Sequence, residues 1–239
     1  MESPGQRVHE DPQVTLRRLL SHTAGTTVHG FPGYAVGESV PSIVQILNGQ
    51  SPANTPPVLV DLTPGTKGRY SGGGTTIVQL MMVDQLKKPF PQIMNETVLR
   101  PLGLAHSTYD QPLAPDRAAL AAGGTYADGS PVQGRWHVYP EMAAAGLWTT
   151  PSDLARIALE VSKAYAGTSS RVLSKAMTRR MLRDQLPGAG IGFDWASPWG
   201  QAPHNSATTG RTKDFRPTSR RLLRLAAAWR SWRTPTTGR

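Results

Sequence analysis

A tyrosine, a serine and three glycines, Tyr70-Ser71-Gly72-Gly73-Gly74, lead straight into the apolar run "TTIVQLMMVDQL". A phenol at the loop that opens a helix suits proton transfer, as a general base or a shuttle. That role needs a nucleophile beside the phenol and a cation to lower its pKa, because a free phenol is protonated at neutral pH. The same five residues also suit a plain turn, and their spacing does not separate the two readings. Ser71 lacks the Gly-x-Ser-x-Gly frame of an exposed nucleophile, since Arg69 stands two positions before it.

Other residues able to do chemistry are scattered. His22, in the turn "SHTAG", reads as a structural hydrogen-bonding residue. His137 and Glu141 are four apart, but no His-Glu-x-x-His pattern makes them a metal pair. Trp136 and Trp148 read as packing or a cleft wall. Asp153 reads as an acid at a helix start. The chain has no cysteine, which excludes disulfides and thiolate metal sites. No metal and no cofactor are expected.

The elements that must hold these residues can be read from periodicity and punctuation. "VTLRRLLSHTAG" predicts a short helix from Val14 to Leu20, with Leu16, Leu19 and Leu20 on one face. Residues 26–64 form a long excursion rich in Pro, Gly and Asn, with one helical patch from Ser42 to Leu47. A loop of that length is uncommon unless it frames a site. After Gly74, Ile77, Leu80, Met81 and Asp84 fall at helical spacing, so a core helix is expected from the glycine turn onward. "PFPQIMNETVLRPLGL" predicts a second helix that stops before Pro101. Next comes glycine-punctuated loop and short strand, to about Thr149. Thr150, Pro151 and Asp153 then give cap, first helical residue and first-turn acid. Ile157, Val161 and Tyr165 are expected to continue that helix's buried stripe, and "SSRVLSKAMTRRMLRDQ" predicts one more helix.

Length and charge bound the rest. The 239 residues allow one large or two small domains, and 38% hydrophobic content permits a core without making it rich. The net charge is +10, but +8 of it falls in residues 211–239, leaving a nearly neutral body at +2. In that tail Leu222, Leu225, Trp229 and Trp232 recur at helical spacing among Arg220, Arg221, Arg224, Arg230 and Arg233. At face value this is a basic amphipathic helix for an anionic membrane surface or an acidic partner. Met1-Glu2-Ser3-Pro4-Gly5 starts no apolar run, so no signal peptide is read and location stays unassigned.

Four blocks, "VTLRRLLSHTAG", "GRYSGGGTTIVQL", "VLRPLGLAHSTY" and "AAAGLWTTPSDLARIALE", occur in this order. In sequence and order they resemble the class C β-lactamase and penicillin-binding-protein-like serine hydrolases, over about Val14 to Phe193. The resemblance implies an α+β, β-lactamase/transpeptidase-like fold, with a helical part packed on an antiparallel sheet. It also implies hydrolysis of a β-lactam, D-Ala peptide or ester through an acyl-serine, on a small-molecule or peptidoglycan-like substrate, and no nucleic acid. By the same resemblance Tyr70 matches the tyrosine of the family's Tyr-x-Asn motif, and Ser71 and Gly72 line the substrate. Gly72 stands where many members have Asn, which shifts the expectation from β-lactams toward esters or peptides.

Two family motifs are missing from the 239 residues. No serine has a lysine three positions later, so there is no Ser-x-x-Lys. "HNSATTG", His204 to Gly210, holds neither Lys-Thr-Gly nor His-x-Gly. Reading the codons out of frame from Asn205 allows "FGH(D/N)GxNEGF", and from Ala228 "VAVMANxDNG", both similar to family segments. The sequence therefore predicts a truncated hydrolase domain over residues 1–204, its sheet incomplete and its chemistry lost. A basic tail over 205–239 would then be derived from a frame slip or disordered, touching anionic surfaces only weakly. The competing expectation is a non-catalytic binding module whose tail docks on membrane or cell-wall anions.

Overall fold

The computed structural model describes residues 13–126, 128–183 and 185–186. The expected tail, 205–239, lies outside them. So does the approach to it from residue 187.

The first helix, α1, spans Leu16–Leu20 and starts where Thr15 accepts a hydrogen bond from the Arg18 amide. Only Leu19 of the expected apolar face is buried, while Leu16 and Leu20 remain 44% and 40% exposed. The correction follows from length: a five-residue helix offers one line of contact, and Leu19 takes it. Leu19 meets Ala24 and Val78, with Ile77, Met81 and Met82 packed around them. Burying side chains of this size contributes roughly 1.5–3 kcal/mol each.

The helical patch in the long excursion is α2, Ile43–Asn48, closed by a capping box between Ser42 and Gln45. Gly49 ends it at φ 62°. A Cβ there would meet Pro57 N at 2.5 Å, so glycine serves both the left-handed turn and the close crossing.

The central helix, α3, spans Gly72–Leu86. It begins three residues earlier than the periodicity suggests, because the three glycines are its first turn and not a preceding loop. Sequence propensity alone disfavours glycine there. Tertiary contact decides otherwise: the segment 26–29 crosses the head of α3 with no room for side chains. A Cβ on Gly73 would lie 2.8 Å from Val58 Cγ2 and 2.9 Å from Thr27 O.

After α3 come α4, Phe90–Met94, and a π-helical turn, Asn95–Leu99. Phe90, Ile93, Leu99 and Leu104 are buried, and Phe90 stands edge-on to Tyr109 at 5.2 Å between ring centres. Two short helices, α5 at Pro115–Ala118 and α6 at Met142–Ala145, interrupt the glycine-rich stretch. Gln79 of α3 clamps α6. Its Nε2 donates to Pro140 O, and its Oε1 accepts from the Ala143 amide, both at 2.9 Å.

The long helix α7, Pro151–Ala166, starts as the sequence dictates, with Thr150 accepting from the Asp153 amide and Pro151 in the first turn. Its buried line is different from the expected one. Asp153, Glu160 and Ala164 are buried, whereas Tyr165 is 49% exposed. Two carboxylates lie on the inward face because donors from other segments meet them there, which no hydrophobic period can reveal. The last described helix is α8, Lys175–Met181, capped by Ser174 and packed against α7.

Among the described residues, β pairing is limited to isolated antiparallel bridges. They join Thr26 to Val60, Tyr34 to Val138, Thr108 to Trp148 and Thr125 to Pro131. The described part is thus helix-rich with few strand contacts. None of its helices is long and apolar enough to cross a membrane.

Candidate active site around Tyr70

Three segments converge on Tyr70. The turn after α1 brings His22, the crossing segment brings His29, and the approach to α3 brings Tyr70 itself. The tyrosine ring lies 4.5 Å from the His22 ring and 4.8 Å from the His29 ring, centre to centre, tilted at 40° and 52°.

The approach is laced in place. The Arg69 amide donates to His22 O at 2.7 Å. The Arg69 guanidinium donates to Gly25 O at 2.7 Å and Thr26 O at 3.1 Å, and it pairs with Asp61. His22 and Val28 both adopt left-handed backbone, at φ 55° and 60°. For a β-branched residue such as Val28 this is costly, of order 1–3 kcal/mol, and persists only where surroundings impose it.

The state of His22 follows from its partners. Its Nδ1 accepts from the Ser71 amide at 3.3 Å, which puts the ring proton of the neutral imidazole on Nε2. Burial, and then the neighbouring His29, push its pKa below the ordinary histidine value. His22 is therefore a neutral imidazole at neutral pH, held by a structural hydrogen bond as the sequence suggests, and it also stacks on the phenol. His29, which the sequence reading passed over, is the second imidazole. A lone histidine in "TVHGF" carries no local signal, and only the crossing of α3 brings it to Tyr70.

Ser71 is fully buried. Its hydroxyl donates to Thr27 O at 2.5 Å and accepts from the Gly74 amide at 2.9 Å. This is the chemistry of an N-cap, not of an attacking oxygen. Gly72 is buried beside it, and its amide donates to His29 O at 3.0 Å, while Gly73 donates to Val28 O at 3.1 Å. The first three amides of α3 are thus all taken by protein oxygens. A side chain at position 72 would start 3.1 Å from the Phe31 ring and 3.2 Å from His29 O. The crossing segment fills the volume that an asparagine there would need.

The remaining candidates separate spatially. His137 Nδ1 lies 2.8 Å from Pro32 O, a backbone tie. Trp136 and Trp148 meet edge-to-face at 5.1 Å, and the Arg135 guanidinium stacks 4.5 Å over Trp136. Asp153 does more than open a helix. Its Oδ2 accepts from the His106 amide at 3.1 Å and the Ser107 hydroxyl at 2.9 Å, tying that loop to α7.

Glu141 is the least expected group. It is fully buried at the start of α6, and among the described residues neither carboxylate oxygen has a hydrogen-bond partner. Burial pushes its pKa up to about 7, against a small opposing pull from its own backbone amide. Tyr34 and Tyr139 nearby are raised as well, by burial above all and partly by the Glu141 charge.

The model of the family described as Beta-lactamase matches residues 4–233. The chain belongs to the Beta-lactamase family. Among solved structures, the chain is similar to D-amino acid amidase from Ochrobactrum anthropi SV3, at 18% identity and a TM-score of 0.56, over 74% of this chain and 51% of that one. It is also similar to the penicillin binding protein from Bacillus halodurans, at 19% identity and a TM-score of 0.53, over 76% and 56%. EstCE1, a hydrolase with promiscuous acyltransferase activity, matches at 19% identity and a TM-score of 0.55, over 76% and 56%. At these identities the likeness is one of fold, the β-lactamase/transpeptidase-like fold. The chain spans about half the length of these solved structures. No match was found among curated proteins.

Proposed function

We propose that this chain carries the tyrosine half of an acyl-serine hydrolase site, with Tyr70 as general base or proton shuttle. The carrying observation is the placement of the Tyr70 ring between two imidazoles at the head of α3. The two imidazoles pack on the phenol ring and fix its position at the head of α3. The left-handed backbone at His22 and Val28 supports the reading, because strain of this kind clusters at functional sites.

The substrate class is a peptide or ester bond rather than a β-lactam, since Gly72 supplies no side-chain amide to hold a lactam carbonyl. A peptidoglycan-like D-amino acid peptide and a small ester both fit. By itself the chain forms no acyl-enzyme. No serine in it has a lysine three positions on, and Ser71 is engaged as a cap. A serine without an activating base remains a poor nucleophile.

Two measurements test this. A fluorescent penicillin and a fluorophosphonate probe leave the chain unlabelled; stoichiometric labelling of any serine would overturn the proposal. A chimera with a Ser-x-x-Lys-bearing segment of a family hydrolase fused ahead of Val14 tests the tyrosine. In it, Tyr70→Phe lowers p-nitrophenyl ester turnover by about 10²–10⁴. Equal turnover with and without the hydroxyl would remove Tyr70 from the chemistry.

A further inference from the structure

On α7, Arg156, Leu159, Glu160 and Lys163 recur at helical spacing along one face. Together with Leu102 and Arg171 they line an open cavity of about 210 Å³. The cavity shares no residue with the Tyr70 cluster.

One of its three cations, Arg156, is held by a buried carboxylate, and the backbone that carries a second, Arg171, is held by another. Arg156 Nη1 donates to Asp153 Oδ1 and to Gly103 O, both at 3.1 Å, while the rest of its side chain stays about half exposed. Glu160 is buried, and its Oε1 accepts from the Ser169 hydroxyl at 2.7 Å and from the Arg171 amide at 3.2 Å. Those bonds pin the loop that carries Arg171 against α7. Asp153 and Glu160 are already hydrogen-bonded on the inner side. Lys163 and Arg171 are exposed on the outer side. Three positive charges against two carboxylates leave the cavity cationic.

We infer that this cavity binds a small phosphate ester. A phosphate monoester presents three terminal oxygens, one for each cation. Guanidinium groups recognise such oxygens through paired N–H donors, and an ammonium adds a compact charge. A carboxylate would satisfy only one guanidinium and leave the other cations facing water. Leu102 and Leu159 supply an apolar wall for the ester's organic group. The volume lies below the range of drug-sized sites, which favours a compact ligand.

The groove on α8 lined by Ser174, Ala176, Met177, Arg179, Arg180 and Arg183 is the natural control. It carries three arginines, but among the described residues it has neither a lining carboxylate nor a leucine wall.

Calorimetric titration of the intact chain with phenyl phosphate tests the site. Saturable binding is expected, weakened about tenfold or more by Lys163→Gln and by Arg171→Gln, the loss typical of a charge-assisted hydrogen bond. Arg179→Gln leaves it unchanged. Circular dichroism of each variant establishes that folding is retained. Absence of saturable binding to the wild-type chain would overturn the inference, as would equal weakening by Arg179→Gln. A third arm uses vesicles containing phosphatidic acid. Vesicle binding that survives Lys163→Gln and is lost in Arg179→Gln, without binding of phenyl phosphate, would move the anion contact to α8 and also overturn the site.

Discussion

Glu141→Gln should remove most of the loss of stability between pH 5 and pH 8. In the folded chain the Glu141 carboxyl titrates at about 7, against an ordinary value of 4.5. The sign follows from linkage. Between those two values the folded state keeps a proton that the unfolded state has released, so stability falls as pH rises. Its contribution is complete below about pH 4.5 and gone above about pH 7. A shift of this size corresponds to about 3 kcal/mol. For a domain of this size that moves the melting midpoint by roughly 6–12 °C. Glutamine keeps the shape and cannot ionise, so the variant should be the more stable protein at pH 8. His22 contributes with the opposite slope. Its folded pKa is depressed, so its contribution is lost as pH falls below the ordinary histidine value. Both proteins carry His22, and its effect cancels in the difference between them. The assay is urea unfolding of both proteins at pH 5, 6.5 and 8. Parallel pH profiles would refute the reasoning, for they would mean that Glu141 is solvated or paired in solution.

Ser71→Ala removes the cap of α3 and leaves the Gly74 amide buried without an acceptor, so a loss of about 1–2 kcal/mol is expected in urea unfolding. Gly73→Ala should cost about 1–3 kcal/mol by overpacking against Val58 and Thr27 O. Gly30→Ala, where a Cβ meets nothing within 4 Å, should stay within about 0.5 kcal/mol by the same measurement. Resequencing the DNA around the Asn205 codon should give an open shifted frame containing a His-x-Gly block. An early stop there would leave the amphipathic-tail reading standing.

The sequence by itself determined the family, through four ordered blocks, and the tyrosine that matches a family motif. It determined the local starts as well. Thr150, Pro151 and Asp153 open α7 by cap chemistry that acts within four residues, and Ser42 with Gln45 closes its box over the same distance. The helical period located α3 and the turn chemistry located its neighbours. Tertiary structure decided what depends on segments far apart in the chain. The three glycines became the first turn of α3 because residues 26–29 cross there and supply the oxygens its amides need. His29 joined Tyr70 by that same crossing, which no spacing in "TVHGF" encodes. Tyr165 turned outward and Glu160 inward because the loop at 169–171 brings donors to a carboxylate. Glu141 lost its solvent when α6 docked on Gln79. Local signals are read from neighbours in sequence, whereas burial and the pKa of an acid belong to whatever the fold packs around it.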